Sequence, residues 1–384
     1  MPIGASHLTG GAEGGIIGDR CTHRGRNPSR KLRGVSLPSG AAAALPGIQG
    51  LLSRFCACLS ASNRRLARPS RRSIELLRMI KITAGVVAGV TLLTLVAPVL
   101  GETIATLPPA FPESASDSPG GVGLDYEDVT FATTDGLTLR GWFFPTGQPD
   151  APAMIYAPAT SHDQRSGLSL VPAFHDAGYH VLLFSYRGHA LSEGRKGSFT
   201  YGEAESRDVE AAAQYLSEAR GIVDIAVVGH SAGAVSAILS AARNPLIGAV
   251  VAVAPYNCVA EVWQTSRPLL VPSFVMDWTL WVSEKARGFS REQVCPIRVV
   301  EQIAPRPLLV IHGTDDRRIT EDQVQELFAA AAEPKSLWLV EGASHDGIRN
   351  PGLDVLAQDV ISFLDSAWEK PGEVAMAPRG AAVE

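Results

Sequence analysis

The strongest constraint on the fold is the alternation of short apolar segments with longer amphipathic segments after residue 124. The apolar segments are continuously hydrophobic, which is typical of strands covered on both faces. They lie at 153–156, 180–184, 225–228, 247–253, 307–311 and 337–340. Helices are predicted at 202–219, 231–243, 321–332 and 354–369. This order predicts an α/β fold, with a mostly parallel sheet and helices on both of its faces.

Two segments at the start of this region, 127–131 and 137–143, instead alternate apolar and polar residues. The turn sequence Thr134-Asp135-Gly136 joins them, so they predict a β-hairpin that adds antiparallel strands at one edge of the sheet. The predicted core residues are Val129, Trp142, Ile155, Val181, Leu183, Val227, Val251, Leu309 and Ile311.

A Gly-x-Ser-x-Gly sequence, Gly229 to Gly233, lies between a predicted strand and a predicted helix. In this context the motif is typical of a nucleophile elbow, a sharp turn that holds its serine in a strained backbone conformation. Side chains at Gly229 and Gly233 would collide with the neighbouring strand and helix. Other Gly-x-Ser sequences in the chain lack the second glycine. Ser231 is therefore the predicted nucleophile, although a helix N-cap serine would look similar.

A serine hydroxyl needs a neighbouring base to act as a nucleophile at neutral pH. Asp316 follows the fifth apolar segment and His345 follows the sixth, so both can reach the sheet edge that carries Ser231. The chain order Ser, Asp, His is the one expected for an elbow of this type. We predict that His345 is the base and that Asp316 orients it. Asp315 is an alternative carboxylate, which the spacing His-Gly-x-x-Asp disfavours.

Six sequence elements carry a family resemblance. They are Asp135-Gly-Leu-Thr-Leu-Arg-Gly-Trp142, Ser185-Tyr-Arg-Gly-His-Ala-Leu-Ser192, the elbow, Cys295-Pro-Ile, His312-Gly-x-x-Asp316 and Gly342-x-x-His345. With these elements, residues 124–370 resemble the α/β-hydrolases, in particular dipeptidyl-peptidase/acylaminoacyl-peptidase-like and esterase-like serine hydrolases. The resemblance implies an acyl-enzyme on Ser231 that is resolved by water without a cofactor. The elements are specific for the fold and much less specific for the substrate.

The oxyanion hole departs from the pattern of this family, which usually has His-Gly after the third strand. Here residues 156–162 read Tyr-Ala-Pro-Ala-Thr-Ser-His. The hole is predicted to use the backbone N–H of Ala232 and one N–H from residues 159–161, for which we choose Thr160. Ser185 and Ala190 also depart from the family, at positions outside the predicted triad.

Three further histidines lie near the predicted mouth of the site. His230 stands inside the elbow, so we expect it to pack or gate rather than to act as the base. His162 and His189 are expected to be surface residues first and substrate contacts second.

An apolar and aromatic insertion, at about residues 255–304, lies between the apolar segments 247–253 and 307–311. It predicts a small helical cap over the site. Its Trp, Leu and Phe side chains would either line a pocket for an acyl or aromatic group or simply pack the cap on the sheet. Cys258 and Cys295 bracket the cap. They would form a disulfide in an extracytoplasmic domain or remain free buried thiols, and the sequence favours neither.

The predicted function is hydrolysis of a carboxylic ester, thioester or amide bond in a small acyl substrate. A peptidase acting on short or acylated peptides is the alternative, and a non-catalytic binding protein on the same fold is a rival of another class. No cofactor or metal is predicted, because no cluster of carboxylates and histidines has the spacing of metal ligands. Nucleic acid is not an expected partner, because basic residues and aromatics are not interleaved.

The 384-residue chain joins two parts of opposite charge. Residues 1–78 hold 13 basic and 3 acidic residues, a net charge of +10, whereas the remainder holds 21 basic and 36 acidic residues, a net charge of −15. One-signed charge with low hydrophobicity predicts disorder in 1–78. Alternatively this leader is not translated, because Met79 precedes an apolar run and would serve as a start.

No charged residue occurs from Ile82 to Gly101, a run long enough to cross a bilayer. The basic residues before the run predict a cytoplasmic N-terminus and an extracytoplasmic catalytic domain. Segment 79–105 is therefore predicted to be a membrane anchor, with a cleaved signal peptide and a secreted enzyme as the alternative. A linker is predicted at 106–123, the hydrolase domain at 124–370 and a disordered tail at 371–384.

Overall fold

The computed structural model describes residues 70–107, 118–348 and 353–368. The leader up to residue 69, linker residues 108–117 and the predicted tail at 371–384 lie outside these ranges.

A 35-residue helix, α1 (Arg71–Ala105), precedes the catalytic region. The Ser73 N–H donates a hydrogen bond to Ser70 Oγ at 3.2 Å, which caps the first turn. The helix thus starts before Met79, inside the segment for which the sequence predicted disorder, because Glu, Leu and Arg are strong helix formers. By length and composition it suffices to cross a membrane, and its most apolar stretch is not buried in the protein.

The predicted α/β architecture is confirmed by a single eight-stranded sheet in the order β1-β2-β4-β3-β5-β6-β7-β8. The predicted hairpin, β1 and β2, forms one edge and pairs antiparallel with β4, whereas the other neighbours pair in parallel. The strands are β1 (Glu127–Ala132), β2 (Thr138–Phe144), β3 (Ala153–Ala157), β4 (His180–Ser185), β5 (Ile225–His230), β6 (Ala249–Val253), β7 (Leu308–Gly313) and β8 (Lys335–Val340).

Helices cover both faces of the sheet. They are α2 (Val171–Asp176), α3 (Glu203–Arg220), α4 (Ala232–Arg243), α5 (Val259–Thr265), α6 (Ser273–Arg287), α7 (Glu321–Ala330), α8 (Leu353–Val355) and α9 (Ala357–Trp368). Helices α3, α4 and α7 pack on one face, and α2 and α9 pack on the other. Short 3-10 turns occur at Pro119–Val122, Gln164–Leu170, Pro296–Arg298 and Val300–Ile303.

Two hydrophobic layers result from the alternation of side chains along each strand. Val227 belongs to the layer under α3, α4 and α7, and the next residue, Val228, belongs to the layer under α2 and α9. All nine predicted core residues are buried. Continuous hydrophobicity in the central strands is therefore needed to fill both layers.

The insertion between β6 and β7 contains α5, α6 and the two 3-10 turns that precede β7, in agreement with the predicted helical cap. Cys258 and Cys295 form a disulfide, which resolves the two alternatives that the sequence left open. Cys258 is the residue directly before α5, and Cys295 directly precedes the turn Pro296–Arg298. The bond therefore joins the two ends of the helical part of the cap.

A buried ion pair connects the end of β4 to the sheet-covering helix α3. Arg187 Nη2 lies 2.7 Å from Asp208 Oδ1, and the side chain of Asp208 is fully buried. Arg187 Nη1 also contacts Asp135 Oδ2 at 2.8 Å, in the hairpin turn. One guanidinium thus holds together three separate parts of the chain.

We expect Asp208→Ala to lower the free energy of unfolding by about 3–5 kcal/mol, because it leaves the buried charge of Arg187 without its main partner. Arg207→Ala, one residue earlier in α3, removes an exposed ion pair with Glu203 and should cost less than about 1 kcal/mol. Urea unfolding in detergent, followed by tryptophan fluorescence, measures both. Equal losses for the two variants would contradict this interpretation of Arg187.

Candidate active site

Ser231 lies directly between β5 and α4, with φ 56° and ψ −118°. A positive φ is unusual for a residue with a side chain and indicates local strain. A Cβ at Gly229 would lie within 3.0 Å of the Gly233 carbonyl, and a Cβ at Gly233 would lie within 3.0 Å of the Ala157 carbonyl. The turn therefore requires glycine at both positions, for the steric reason that the sequence indicated.

Parallel pairing of β5, β6, β7 and β8 brings Ser231, Asp316 and His345 to one edge of the sheet. His345 Nε2 lies 3.1 Å from Ser231 Oγ. His345 Nδ1 lies 2.6 Å from Asp316 Oδ2. The alternative carboxylate, Asp315, is exposed. The structure therefore joins the three predicted residues in one chain of hydrogen bonds.

The carboxylate of Asp316 is held from both sides. Its Oδ1 accepts backbone hydrogen bonds from Arg318 at 2.8 Å and from Ile319 at 3.0 Å. Burial raises the pKa of Asp316, but the hydrogen bond and charge of His345 and these two N–H groups outweigh burial, so the pKa lies below its usual value. Asp316 is therefore ionised at neutral pH and fixed in orientation.

The loops that carry Asp316 and His345 are tied to each other. A Cβ at Gly313 would overlap the Ala343 carbonyl, which accepts a hydrogen bond from the Asp315 N–H at 3.1 Å. Thr314 Oγ1 accepts from the Gly342 N–H at 2.9 Å. Sequence analysis did not identify this support. The glycine in His-Gly-x-x-Asp was the signal that pointed to a close backbone approach.

His230 is buried, and its Nε2 lies 3.0 Å from the backbone oxygen of His345. It thus contacts the loop of the candidate base, at a ring-to-ring distance of 5.1 Å from His345. His162 lines the same cavity as Ser231. Its Nδ1 lies 2.8 Å from the backbone oxygen of Thr160.

The expectation that His189 is a surface residue is wrong. The loop after β4 folds inward and packs this ring edge-on against Tyr186 and Phe199, so that 1% of it is exposed. Burial lowers the pKa of His189, because an imidazolium ion would lose its hydration there.

A cavity of about 640 Å³ opens above Ser231. Ser231, His345, Ala159 and the predicted Thr160 contribute to its lining. Ala232, the first residue of α4, is buried next to the serine. The first N–H groups of a helix have no partner within the helix, so the Ala232 N–H has no helical partner.

The cap contributes Trp263 and Met276 to the cavity, whereas Leu269, Leu270 and Trp281 of the cap are exposed. The predicted apolar residues of the cap therefore divide between a pocket and a surface.

Sequence analysis missed a third group of lining residues. Pro98, Gly101, Glu102 and Thr106, at the end of α1, share this cavity with Ser231. The available signal was Glu102, the first charged residue after the apolar run.

Among the described residues, no three His, Cys, Asp or Glu side chains are grouped as a metal site would require.

Comparisons with known proteins concern the fold and the family of this chain. The family model "Serine aminopeptidase, S33" matches residues 155–293. An uncharacterized protein of Mycobacterium tuberculosis is 30% identical over 61% of this chain and 76% of its own length. A polyketide transferase of Stachybotrys chlorohalonatus is 33% identical over 57% of this chain and 89% of its own length.

The esterase Pf2001 of Pyrococcus furiosus has a similar structure, with a TM-score of 0.56 at 22% identity, covering 68% of this chain and 98% of that one. At this identity the likeness concerns the fold alone. The sheet order, the matched family model and these relatives lead to one conclusion. The chain belongs to the α/β-hydrolase superfamily.

Proposed function

We propose that this protein is a serine hydrolase that cleaves carboxylic esters or thioesters through an acyl-enzyme on Ser231. The observation that carries the proposal is the chain of hydrogen bonds from Ser231 through His345 to Asp316, next to a cavity of substrate size. We take 124–370 as the catalytic domain, with a cap of about 255–304.

In the first half-reaction, Ser231 Oγ attacks the carbonyl carbon of the ester while His345 Nε2 accepts the serine proton. The negative charge that develops on the carbonyl oxygen is stabilised by the N–H groups of Ala232 and Thr160. Each such donor lowers the barrier by about 3–4 kcal/mol. The tetrahedral intermediate then collapses, and the leaving alcohol takes its proton from His345.

In the second half-reaction, His345 removes a proton from water, and the hydroxide attacks the acyl-enzyme carbonyl. The acid leaves, and the proton returns to Ser231 Oγ. Asp316 stays ionised throughout, holds Nδ1–H and stabilises the imidazolium that forms in each half-reaction. Ester and water are thereby converted to acid and alcohol, with no net change in the enzyme.

A second candidate, hydrolysis of short or acylated peptides, is favoured by the name of the matched family model. The two candidates differ in the leaving group, which is an alcohol or an amine. Parallel assays with p-nitrophenyl esters and aminoacyl-p-nitroanilides separate them, and faster turnover of the anilides would assign the enzyme as a peptidase.

We also propose that α1 anchors the enzyme in the membrane with the catalytic domain outside the cytoplasm. The basic residues before the apolar run favour a cytoplasmic N-terminus. The Cys258–Cys295 disulfide supports an oxidising compartment for the cap.

The first prediction from the proposed function concerns the nucleophile. Ser231→Ala should abolish labelling by a fluorophosphonate and reduce kcat for p-nitrophenyl butyrate by about 10⁴-fold or more, because it removes the hydroxyl that forms the proposed acyl-enzyme. Ser240→Ala is the matched control, since Ser240 is a buried hydroxyl in the same helix that bonds the Ala237 carbonyl. It should label normally. If the wild-type protein is not labelled and does not hydrolyse the ester, the proposal that it is a serine hydrolase is wrong.

The second prediction from the proposed function concerns the carboxylate that orients His345. Asp316→Asn should lower kcat by about 10⁴-fold, since an amide stabilises the wrong imidazole tautomer. Asp315→Asn, at the exposed neighbouring position, should remain within about twofold. The lowered pKa of Asp316 keeps this carboxylate charged well into the acid range. The wild-type loss of kcat/KM with falling pH should therefore not arise from protonation of Asp316. A greater loss in Asp315→Asn than in Asp316→Asn would reverse the assignment.

The third prediction concerns topology. Val223 is 82% exposed, in the connection before β5, so a cysteine there can be labelled without disturbing the core. In intact spheroplasts, Val223→Cys should react with a membrane-impermeant maleimide, while the wild type does not gain that label. Labelling that appears only after lysis would place the domain in the cytoplasm.

A further inference from the structure

We propose that the end of α1, residues 98–106, is a wall of the substrate cavity, and that the cavity receives acyl esters from the membrane in which α1 is anchored. This inference rests on the proposed serine hydrolase and adds its substrate class and the route of entry. Three independent observations support it, and they concern the cavity wall, the link between α1 and the cap, and the surface of the cap.

The end of α1 and the proposed nucleophile line the same cavity. Pro98, Gly101 and Glu102 of α1, and Thr106 directly after it, line the same cavity as Ser231. A signal peptide cleaved near Gly101, or near Thr103 and Ala105, would remove part of this wall. If α1 is retained as an anchor, the cavity keeps its complete lining. The apolar run then ends beside the mouth of the cavity.

A buried ion pair links this end of α1 to the cap. Arg287 Nη1 lies 2.6 Å from Glu102 Oε1, and 5% of the arginine and 9% of the glutamate side chain are exposed. Arg287 Nη2 donates to Glu102 Oε2 and to Thr106 Oγ1, both at 2.9 Å. Ser283 Oγ donates to Glu102 Oε1 at 3.2 Å. The position of α1 relative to α6 is thus fixed by several charge-assisted bonds.

Tyr201 completes this link from the catalytic domain, because its hydroxyl donates to Glu102 Oε1. Burial raises the pKa of Tyr201 well above its usual value, with the charge of Glu102 adding to the effect, so the hydroxyl keeps its proton. Tyr201 and Glu102 both line the cavity. The link is therefore part of the site itself rather than a remote support.

The surface of the cap next to α1 is apolar. Phe274, Trp278 and Trp281 are spaced i, i+4 and i+7 on α6 and are 61%, 39% and 45% exposed. The Trp278 indole N–H donates to the Leu95 carbonyl of α1 at 3.3 Å, which places this face beside the apolar run. Leu269 and Leu270, just before α6, are 94% and 93% exposed. We call these five residues the cap patch.

A lipid surface is the partner that fits the cap patch. A run of about 20 residues spans about 30 Å of hydrocarbon. Once Ile82–Gly101 is embedded, Leu95 therefore lies about 9 Å below the outer boundary of the hydrocarbon, within the outer leaflet. Tryptophan side chains are enriched at that boundary. Exposed apolar patches of this kind mark interaction sites in soluble proteins, and here the membrane is brought to the patch by the same chain.

The chemistry follows from this placement. An ester whose acyl chain lies in the outer leaflet would enter between the end of α1 and the cap, with its carbonyl at Ser231. Acyl transfer to Oγ releases the alcohol, and water then releases the fatty acid, as in the proposed mechanism. The cavity lining from α1 and the cap, including Pro98, Trp263 and Met276, offers apolar contacts to such a chain.

The full chain, reconstituted in vesicles of ether-linked phosphatidylcholine that carry no carboxylic ester, provides the test. The substrates are p-nitrophenyl butyrate, which is water-soluble, and p-nitrophenyl palmitate, which partitions into the vesicles. The double variant Leu269→Ser/Leu270→Ser should lower kcat/KM for the palmitate at least about tenfold, because two large apolar side chains no longer enter the lipid. Butyrate hydrolysis and fluorophosphonate labelling should stay within about twofold.

Val223→Ser is the matched control, since Val223 is an exposed apolar residue before β5, at the opposite edge of the sheet from Ser231. It should leave kcat/KM unchanged for both esters. Equal effects of the double variant on both esters, or no effect on the palmitate, would overturn the inference. So would a palmitate loss that accompanies a change of oligomeric state in light scattering, since the cap patch would then be a protein interface.

The wall has its own test. Glu102→Ala should raise KM for the palmitate about tenfold more than KM for the butyrate, and Glu102→Gln, which keeps hydrogen-bond acceptors for Tyr201 and Ser283, should lie between it and the wild type. Parallel shifts in KM for both esters, or a native membrane protein whose mass excludes residues 98–106, would overturn the inference. A wild type inactive on both esters and unlabelled by fluorophosphonate would instead refute the proposed hydrolase.

Discussion

Parallel pairing of β5, β6, β7 and β8 is the constraint on which the rest of the site depends. Each of these strands runs in the same direction, so the residues that follow them arrive at one edge of the sheet. Ser231 follows β5, Asp316 follows β7 and His345 follows β8. The separation of these residues along the chain is therefore unimportant for their meeting in space. At Gly233 and Gly313 the backbone approaches a neighbouring carbonyl so closely that no Cβ would fit. These contacts hold the loops close enough for the three side chains to form hydrogen bonds.

Much of this arrangement could be predicted from the sequence because its signals are local. The strands are short apolar runs, and the elbow is a five-residue motif whose glycines have a steric reason. The mostly parallel sheet with helices on both faces followed from the same alternation, and all nine predicted core residues are buried. Asp316 could be preferred to Asp315 from spacing, and the structure shows the difference in burial and hydrogen bonding between the two.

The features that escaped prediction depend on contacts between distant parts of the chain. His189 is buried because a loop folds onto Phe199, which no periodicity reveals. The pairing of Cys258 with Cys295 requires that the two ends of the cap meet, and sequence spacing does not determine that. Glu102 meets Arg287 across 185 residues of sequence. An acidic residue after an apolar run is also expected at the end of a membrane segment. The sequence position of Glu102 therefore gave no reason to expect Arg287 as its partner.

Two buried ion pairs in the described part of the chain illustrate different uses of the same physical interaction. Burying charges costs hydration free energy, and apolar replacements of similar shape often give equal or greater stability. Arg187 and Asp208 lie behind the hairpin turn and serve the fold. Glu102 and Arg287 lie where a helix of membrane-spanning length meets the cap and the substrate cavity. At that junction, directional bonds set the position of one element against another more strictly than apolar contact would. The end of a long, largely exposed helix can serve as one wall of a cavity because it is held in this way.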